Sequence, residues 1–197
     1  MLLDADDCQL VLVDYQARLM PQIHESELVL RNALRLARVA QLLEVPVWGT
    51  EENPSGLGEN PGELKALCRK TLAKMHFNAG ADGLVSLLRP APKPAGNARS
   101  LPKHLQKPAA PERTTVVIAG CETHVCLMQT ALELLDEEFE VAVVTDASSS
   151  RTERNRDAAF DRLAGAGAEL VTTEMVAFEW LRTAEHPMFK QVLALLK

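Results

Sequence analysis

Three side chains that could cooperate in covalent catalysis are spread along the chain: a carboxylate, an amine and a thiol. Asp14 comes directly after the apolar run at residues 9–13, Lys74 lies within residues 71–77, and Cys126 follows a third apolar run. A thiolate can attack a carbonyl carbon, a carboxylate can accept the proton of the thiol, and an ammonium group favours both anions. If the fold brings them together, these residue types indicate acyl transfer by a nucleophilic cysteine.

The surroundings of Cys126 favour such a role. Residues 116–119, VVIA, have the length and β-branched content of a buried strand, and Gly120 allows a tight exit. From Val125 onward the apolar residues are spaced by three and four, which is typical of a helix. Free N–H groups and the positive end of the dipole at a helix N-terminus stabilise a thiolate and could hold an oxyanion. The same stretch is also typical of a small buried cysteine.

The positions of Asp14 and Lys74 leave two interpretations each. Continuous apolar runs indicate strands of a parallel sheet, and binding sites of such sheets lie at the carboxyl ends of the strands. Asp14 at such an end is either catalytic or caps the next turn. Lys74 is either a solvated surface group or a third member of a site with Asp14 and Cys126.

Strands alternate with helices along the whole chain, which predicts one parallel sheet covered on both faces. We expect strands at residues 9–13, 45–48, 71–74, 116–119, 141–145 and 169–172. Helices are predicted at residues 27–43, 63–68, 152–164, 174–181 and 187–196, and from Val125 onward, with a loop at 51–62. We therefore expect a single α/β domain over residues 1–197.

Composition limits the class of partner and compartment. The 197 residues are nearly half apolar and carry a net charge of −6 with acids and bases interspersed. This pattern indicates no nucleic-acid partner and no membrane association, and no apolar run approaches the roughly 20 residues of a membrane span. The N-terminus has no signal-peptide pattern, so a cytoplasmic location with four reduced cysteines is expected. The proline-rich stretch at 89–113 predicts a long loop that is mobile and inert, or else a lid or a subunit arm.

Several segments, taken in order, resemble the isochorismatase-like cysteine hydrolases. GCETHVC at residues 120–126 is similar to their nucleophile motif, VLVDYQ at 11–16 to their aspartate motif, and Lys74 with Phe77 to their lysine motif. VVTDASSSR at 143–151 and TTEMVAFEWL at 172–181 also resemble family segments. TEENPSGLG at 50–58 looks like the version found in the isochorismatase-domain subgroup.

The resemblance implies a three-layer α/β/α sandwich and a catalytic triad of Asp14, Lys74 and Cys126. It also implies a non-proline cis peptide at His124–Val125, which would direct the N–H groups of Val125 and Cys126 into an oxyanion hole. Asp14 would take the thiol proton, and a small amide would be hydrolysed through a thioester without a cofactor. The family also implies a homo-oligomer.

The side chains expected to bind the substrate are less distinctive. Trp48 and Phe77 could line an apolar pocket, although large aromatic residues are more often part of a core. Thr123 could shape the oxyanion turn or simply cap the following helix.

Other functions stay open. Isochorismatase itself, a vinyl-ether hydrolase, works without the cysteine, so Cys126 disfavours that activity. A non-catalytic oligomeric member of the fold is a second alternative, and a metal site of Cys121, His124 and Cys126 is a third, although their spacing is unlike that of zinc sites. Glu51 and Glu52 stand where nicotinamidases bind a metal, but without the nearby histidines, so we expect no bound metal.

Overall fold

A computed structural model describes residues 2–89 and 112–197 of the chain. The predicted proline-rich loop at 89–113 lies almost entirely outside the described residues. Its two ends meet, because Arg89 and Glu112 form an ion pair at 2.8 Å.

Six parallel strands form the central sheet, as the apolar runs predict. They are β1 (Cys8–Val13), β2 (Val47–Glu52), β3 (Lys70–Lys74), β4 (Thr115–Gly120), β5 (Glu140–Val144) and β6 (Glu169–Val171). Their order in the sheet is β3-β2-β1-β4-β5-β6. The direction of winding reverses between β1 and β4, and ligands of doubly wound sheets bind at the carboxyl ends of the strands beside such a reversal.

Eight helices accompany the strands in the described residues. They are α1 (Ser26–Leu42), α2 (Pro54–Leu57), α3 (Gly62–Leu67), α4 (Leu84–Leu88), α5 (Met128–Asp136), α6 (Glu153–Gly165), α7 (Thr173–Leu181) and α8 (Phe189–Leu196). Short 3₁₀ turns lie at Met20–Gln22, Ala79–Asp82 and Thr145–Ala147, and a π-helical turn at Thr123–Leu127 leads into α5. None of the helices in the described part of the chain is long and apolar enough to cross a membrane.

Two apolar clusters lie on opposite faces of the sheet. One joins the sheet to α1, α3, α7 and α8, and the other joins it to α4, α5 and α6. All six residues of β1 and all six of β4 are buried, because both strands are covered on both faces. The expected three-layer α/β/α sandwich is therefore confirmed.

The boundaries of β2 differ from the prediction. We expected a strand at 45–48 followed by a loop from Glu51, whereas the strand runs from Val47 to Glu52. Glu51 and Glu52 belong to the strand because they pair with Ala73 and Lys74 of β3. This pairing between neighbouring strands overrides the loop signal of the Gly, Pro and Asn residues that follow.

Candidate active site

The carboxyl ends of β1, β2 and β3 bring Asp14, Glu52 and Lys74 together. The ammonium nitrogen Nζ of Lys74 lies 2.7 Å from Oδ2 of Asp14 and 2.8 Å from Oε2 of Glu52. The side chains of Lys74 and Asp14 are fully buried, and that of Glu52 is 10% exposed. Three charged groups in such contact away from water form a tightly coupled unit.

Cys126 reaches the same unit from the π-helical turn that follows β4. Asp14, Glu52 and Cys126 each contribute one oxygen or sulfur atom, and these atoms all lie within 4.8 Å of one another. Cys126 is 6% exposed and belongs to the apolar cluster that faces α4, α5 and α6. The structure therefore brings together the three residues predicted to be catalytic.

The backbone after β1 is shaped to present Asp14. Asp14 has a left-handed conformation, with a φ of 54°, which non-glycine residues adopt infrequently and aspartate more readily than most. Its Oδ1 accepts a hydrogen bond from the hydroxyl of Thr50 at 2.7 Å. Because this bond fixes the carboxyl group, Oδ2 is held towards the ammonium group of Lys74.

Gly120 permits β4 to lie close to β1 just before the site. Its φ is +155°, and a Cβ atom there would collide with the backbone of Val13, including the carbonyl oxygen and, at 2.8 Å, Cα. Only glycine fits this close approach, which places the Cys121–Cys126 segment next to Asp14.

Glu52 and Thr50 are site residues that the sequence reasoning missed. Both follow the alternation of β2, so they share a face, and Glu51 between them points away. The buried side chain of Gln16 fixes Glu52, because it accepts from the Glu52 N–H and donates to the Glu52 carbonyl, both at 2.8 Å. Glu52 could have been recognised as a site residue because it lies at the carboxyl end of a parallel strand. The predicted strand ended at residue 48, however, so Glu52 was assigned to the following loop.

Charge and burial set the proton positions in the site. Burial raises the pKa of Asp14 more than the nearby Lys74 ammonium lowers it. For Lys74, burial would lower the pKa, but Asp14, Cys126 and Glu52 together outweigh burial and hold the pKa above its usual value. Burial and then the Asp14 carboxylate raise the pKa of Cys126, against the opposing effect of Lys74.

Burial and the Asp14 carboxylate thus both favour the thiol form of Cys126 over the thiolate. The expectation that the helix N-terminus stabilises a thiolate was wrong, because burial and a neighbouring carboxylate dominate at this position. A nearby carboxylate with a raised pKa is suited to accept the thiol proton during a reaction.

The predicted oxyanion hole needs correction. The non-proline cis peptide joins Cys121 and Glu122, whereas His124–Val125 lies inside the π-helical turn. This turn engages the N–H of Val125, which donates to the carbonyl of Glu122 at 3.1 Å. The imidazole of His124 lies 2.9 Å from the hydroxyl of Ser150 instead of facing the site.

The candidate substrate-binding residues have different locations. Trp48 lies four residues before Glu52, about 13 Å along the strand, and its indole donates to Gln9 at 3.1 Å. Its predicted role in the pocket was wrong, because it belongs to the opposite end of the sheet. The side chain of Phe77 is half exposed, and its carbonyl lies 3.4 Å from Nζ of Lys74. Thr123 is fully buried at the start of the π-helical turn, and its hydroxyl has no hydrogen-bond partner among the described residues.

The arrangement of possible metal ligands also differs from the alternative weighed above. Cys121 packs into one apolar cluster and Cys126 into the other, on opposite faces of the sheet, so they do not converge. Among the residues that the structure describes, the group that could hold a cation consists of the carboxylates of Asp14 and Glu52 and the thiol of Cys126. Lys74 already places its ammonium group within hydrogen-bonding distance of both carboxylates, so a metal ion would have to displace it.

Comparisons of the sequence and of the structure with known proteins point to the same family. Residues 8–175 match the isochorismatase domain. Isochorismatase domain-containing protein 2B of Mus musculus is 35% identical over 188 residues, covering 95% of this chain and 80% of the mouse protein.

Two solved structures share the architecture over almost the whole chain. The MAR1 ribonuclease of Caenorhabditis elegans superposes with a TM-score of 0.84 and 27% identity, covering 100% of this chain and 92% of its own. YcaC of Escherichia coli, described as an octameric hydrolase of unknown specificity, has a TM-score of 0.80 and 30% identity and covers 98% and 88%. From these matches and from the sheet, the chain belongs to the isochorismatase-like hydrolase family.

Proposed function

We propose that the protein hydrolyses a small amide through a thioester on Cys126, with Asp14 and Lys74 as its partners. The observation that carries this proposal is the convergence of a carboxylate, an ammonium group and a thiol in one buried cluster. Perturbed pKa values of charged groups cluster at functional sites, and all three of these side chains have one.

In the first step the Cys126 thiol gives its proton to Asp14 as sulfur attacks the carbonyl carbon of the amide. A carbon–sulfur bond forms, and the tetrahedral intermediate collapses by breaking the carbon–nitrogen bond. The leaving nitrogen takes the proton from Asp14, so the amine departs neutral. Lys74 stabilises the negative charge on Asp14 and sulfur during the transfer.

In the second step water hydrolyses the thioester. Asp14 takes a proton from the water as its oxygen attacks, and the proton returns to the leaving sulfur, which restores the thiol. The products are a carboxylic acid and an amine, and no redox change or cofactor is needed.

The developing oxyanion requires hydrogen-bond donors near Cys126. The N–H of Val125 is engaged by Glu122, so we propose the N–H of Cys126 as one donor. The buried, unpartnered hydroxyl of Thr123 is the second donor that we propose. This pair replaces the oxyanion hole expected from the sequence.

We also propose that the protein is a homo-oligomer. The description of the related YcaC of Escherichia coli as octameric supports this assembly. Size-exclusion chromatography with light scattering tests it, and a monomer at micromolar concentration would contradict it.

The proposed chemistry can be tested by exposing the protein to a panel of small amides and measuring intact mass. We expect a mass increase of one acyl group on Cys126, and loss of both adduct and turnover in Cys126→Ala. Cys121→Ala is the matched control, because Cys121 is a buried thiol on the opposite face of the sheet. Full turnover in Cys126→Ala would reject the proposal, and hydrolysis of isochorismate by that variant would favour the vinyl-ether reaction.

A further inference from the structure

One carboxylate oxygen of Glu52 is an unpaired hydrogen-bond acceptor inside the candidate site. Its Oε2 contacts Lys74 at 2.8 Å, while Oε1 has no hydrogen-bond partner within residues 2–89 and 112–197. The side chain is 10% exposed and Oε1 is not itself fully buried, so this free acceptor can be reached by an entering ligand. A carboxylate oxygen only accepts hydrogen bonds, so a ligand with a nitrogen–hydrogen donor would pair with this one.

The N–H donors of Lys74, by contrast, are already engaged by protein oxygen atoms. An ammonium group has three hydrogens to donate. Four oxygen atoms already surround Nζ of Lys74: those of Asp14 and Glu52 at 2.7 and 2.8 Å, and the carbonyls of His76 and Phe77 at 3.3 and 3.4 Å. A carboxylate on a substrate would have to displace one of these partners.

The charged groups of the site leave it negative. Two carboxylates and one ammonium group carry a net charge of −1 before any thiolate forms. Of the basic side chains on adjoining segments, His76 pairs with Asp82 at 3.2 Å, and the exposed Arg18 is held to the carbonyl of Gly56 at 2.8 Å outside this cluster. An anion that approaches the thiol would therefore meet the negative charge of Asp14 and Glu52 first.

We propose that Glu52 contacts the substrate and makes the pocket select small amides with a nitrogen donor or a positive charge over those bearing a carboxylate. This inference rests on the proposed function for the site, but the charge preference itself does not require turnover. The free Glu52 oxygen and the saturated Lys74 ammonium are its two independent supports.

The preference can be measured with methanethiosulfonate reagents that differ in charge. A trimethylammonium-ethyl and a sulfonate-ethyl reagent each convert the Cys126 thiolate to a mixed disulfide and release methanesulfinate. Peptide mass mapping gives the rate at Cys126, and 2-mercaptoethanol gives the intrinsic ratio of the two reagents. We expect the cation-to-anion rate ratio at Cys126 to exceed the intrinsic ratio by about tenfold, as one unit charge at a protein surface can produce over several ångströms.

Glu52→Gln should lower this ratio by about the same factor, because it removes the charge and keeps the shape. Glu51→Gln is the matched control: it changes the net charge equally on the same strand, but Glu51 faces away and accepts from the N–H of Asn60 at 2.8 Å. Circular dichroism checks that both variants fold.

Three results would overturn the proposal: a wild-type ratio equal to the intrinsic one, a ratio that Glu52→Gln leaves unchanged, or a faster reaction with the anionic reagent. The last would show that a cation such as Arg18 controls the entrance. Disulfide formation requires no hydrolysis, so the charge preference is measured independently of amide turnover. A protein that hydrolyses no amide would refute the proposed function without affecting this measurement.

Discussion

Replacing Lys74 by methionine should reveal how strongly the buried charges depend on one another. Methionine keeps most of the length of the side chain but removes the ammonium group that lies 2.7 Å from Asp14 and 2.8 Å from Glu52. Two carboxylates would then lie together in a buried cluster without a cation. Removing one partner of a buried ion pair typically costs about 3–5 kcal/mol of the free energy of unfolding, because it leaves an uncompensated charge.

The cost should depend on pH with a definite sign. Burial already raises the pKa of Asp14 in the folded protein, and Lys74 opposes that rise. Without Lys74 the folded-state pKa of Asp14 rises further, while the unfolded value stays at about 3.9. A group with a raised folded-state pKa contributes stability that is fully present below the unfolded pKa and is lost as pH rises through the folded one. The deficit of Lys74→Met should therefore be smaller in mild acid than above neutrality.

Urea unfolding of the wild type and the variant at pH 5 and pH 8 measures both quantities. Arg38→Met is the matched control, because Arg38 pairs with Glu63 at 3.5 Å with both side chains about half exposed, and exposed pairs contribute at most about 1 kcal/mol. A deficit for Lys74→Met that is no larger than the control, or that is the same at both pH values, would refute the coupled buried unit.

Two further predictions concern the edges of the site. Gly120→Ala should lower the free energy of unfolding by about 1–3 kcal/mol or more, because its Cβ would collide with the Val13 backbone; Gly62→Ala, with nothing within 4 Å of its new Cβ, should change stability by less than about 0.5 kcal/mol in the same urea titration. Equal effects of the two would contradict the close approach of the strands. Phe77→Ala should raise KM for an amide substrate and change the unfolding free energy by less than about 1 kcal/mol, since the side chain is half exposed; an unchanged KM in steady-state kinetics would remove Phe77 from the pocket.

The parallel sheet could be predicted because its signal is local. Apolar runs such as those at β1 and β4 have the length of strands buried on both faces, and the chain forms strands there. The end of β2 could not be predicted, because Glu51 and Glu52 become strand residues only through pairing with β3. That error hid Glu52, whose role depends on a contact 22 residues along the chain with Lys74.

The positions of Asp14, Lys74 and Cys126 were predicted, but their electrostatics were not. A helix N-terminus suggested a thiolate, whereas burial and the Asp14 carboxylate raise the pKa of Cys126. The location of Trp48 was also predicted wrongly. Its hydrogen bond to Gln9 depends on the register of β1 with β2, which the residues next to Trp48 in the sequence do not reveal. Residue types and spacing indicate chemistry, whereas distances between strands decide which groups meet.

The most direct test of the central claim, that Asp14 and Cys126 act as one coupled pair, is the pH profile of Cys126 alkylation by iodoacetamide in the wild type and in Asp14→Asn. The Asp14 carboxylate raises the pKa of the thiol, so its removal should shift the alkylation profile to lower pH and speed labelling near neutrality. Hydrolysis, which needs the carboxylate as proton acceptor, should fall about 10²–10⁴-fold in the same variant. An alkylation profile that Asp14→Asn leaves unchanged would contradict the account.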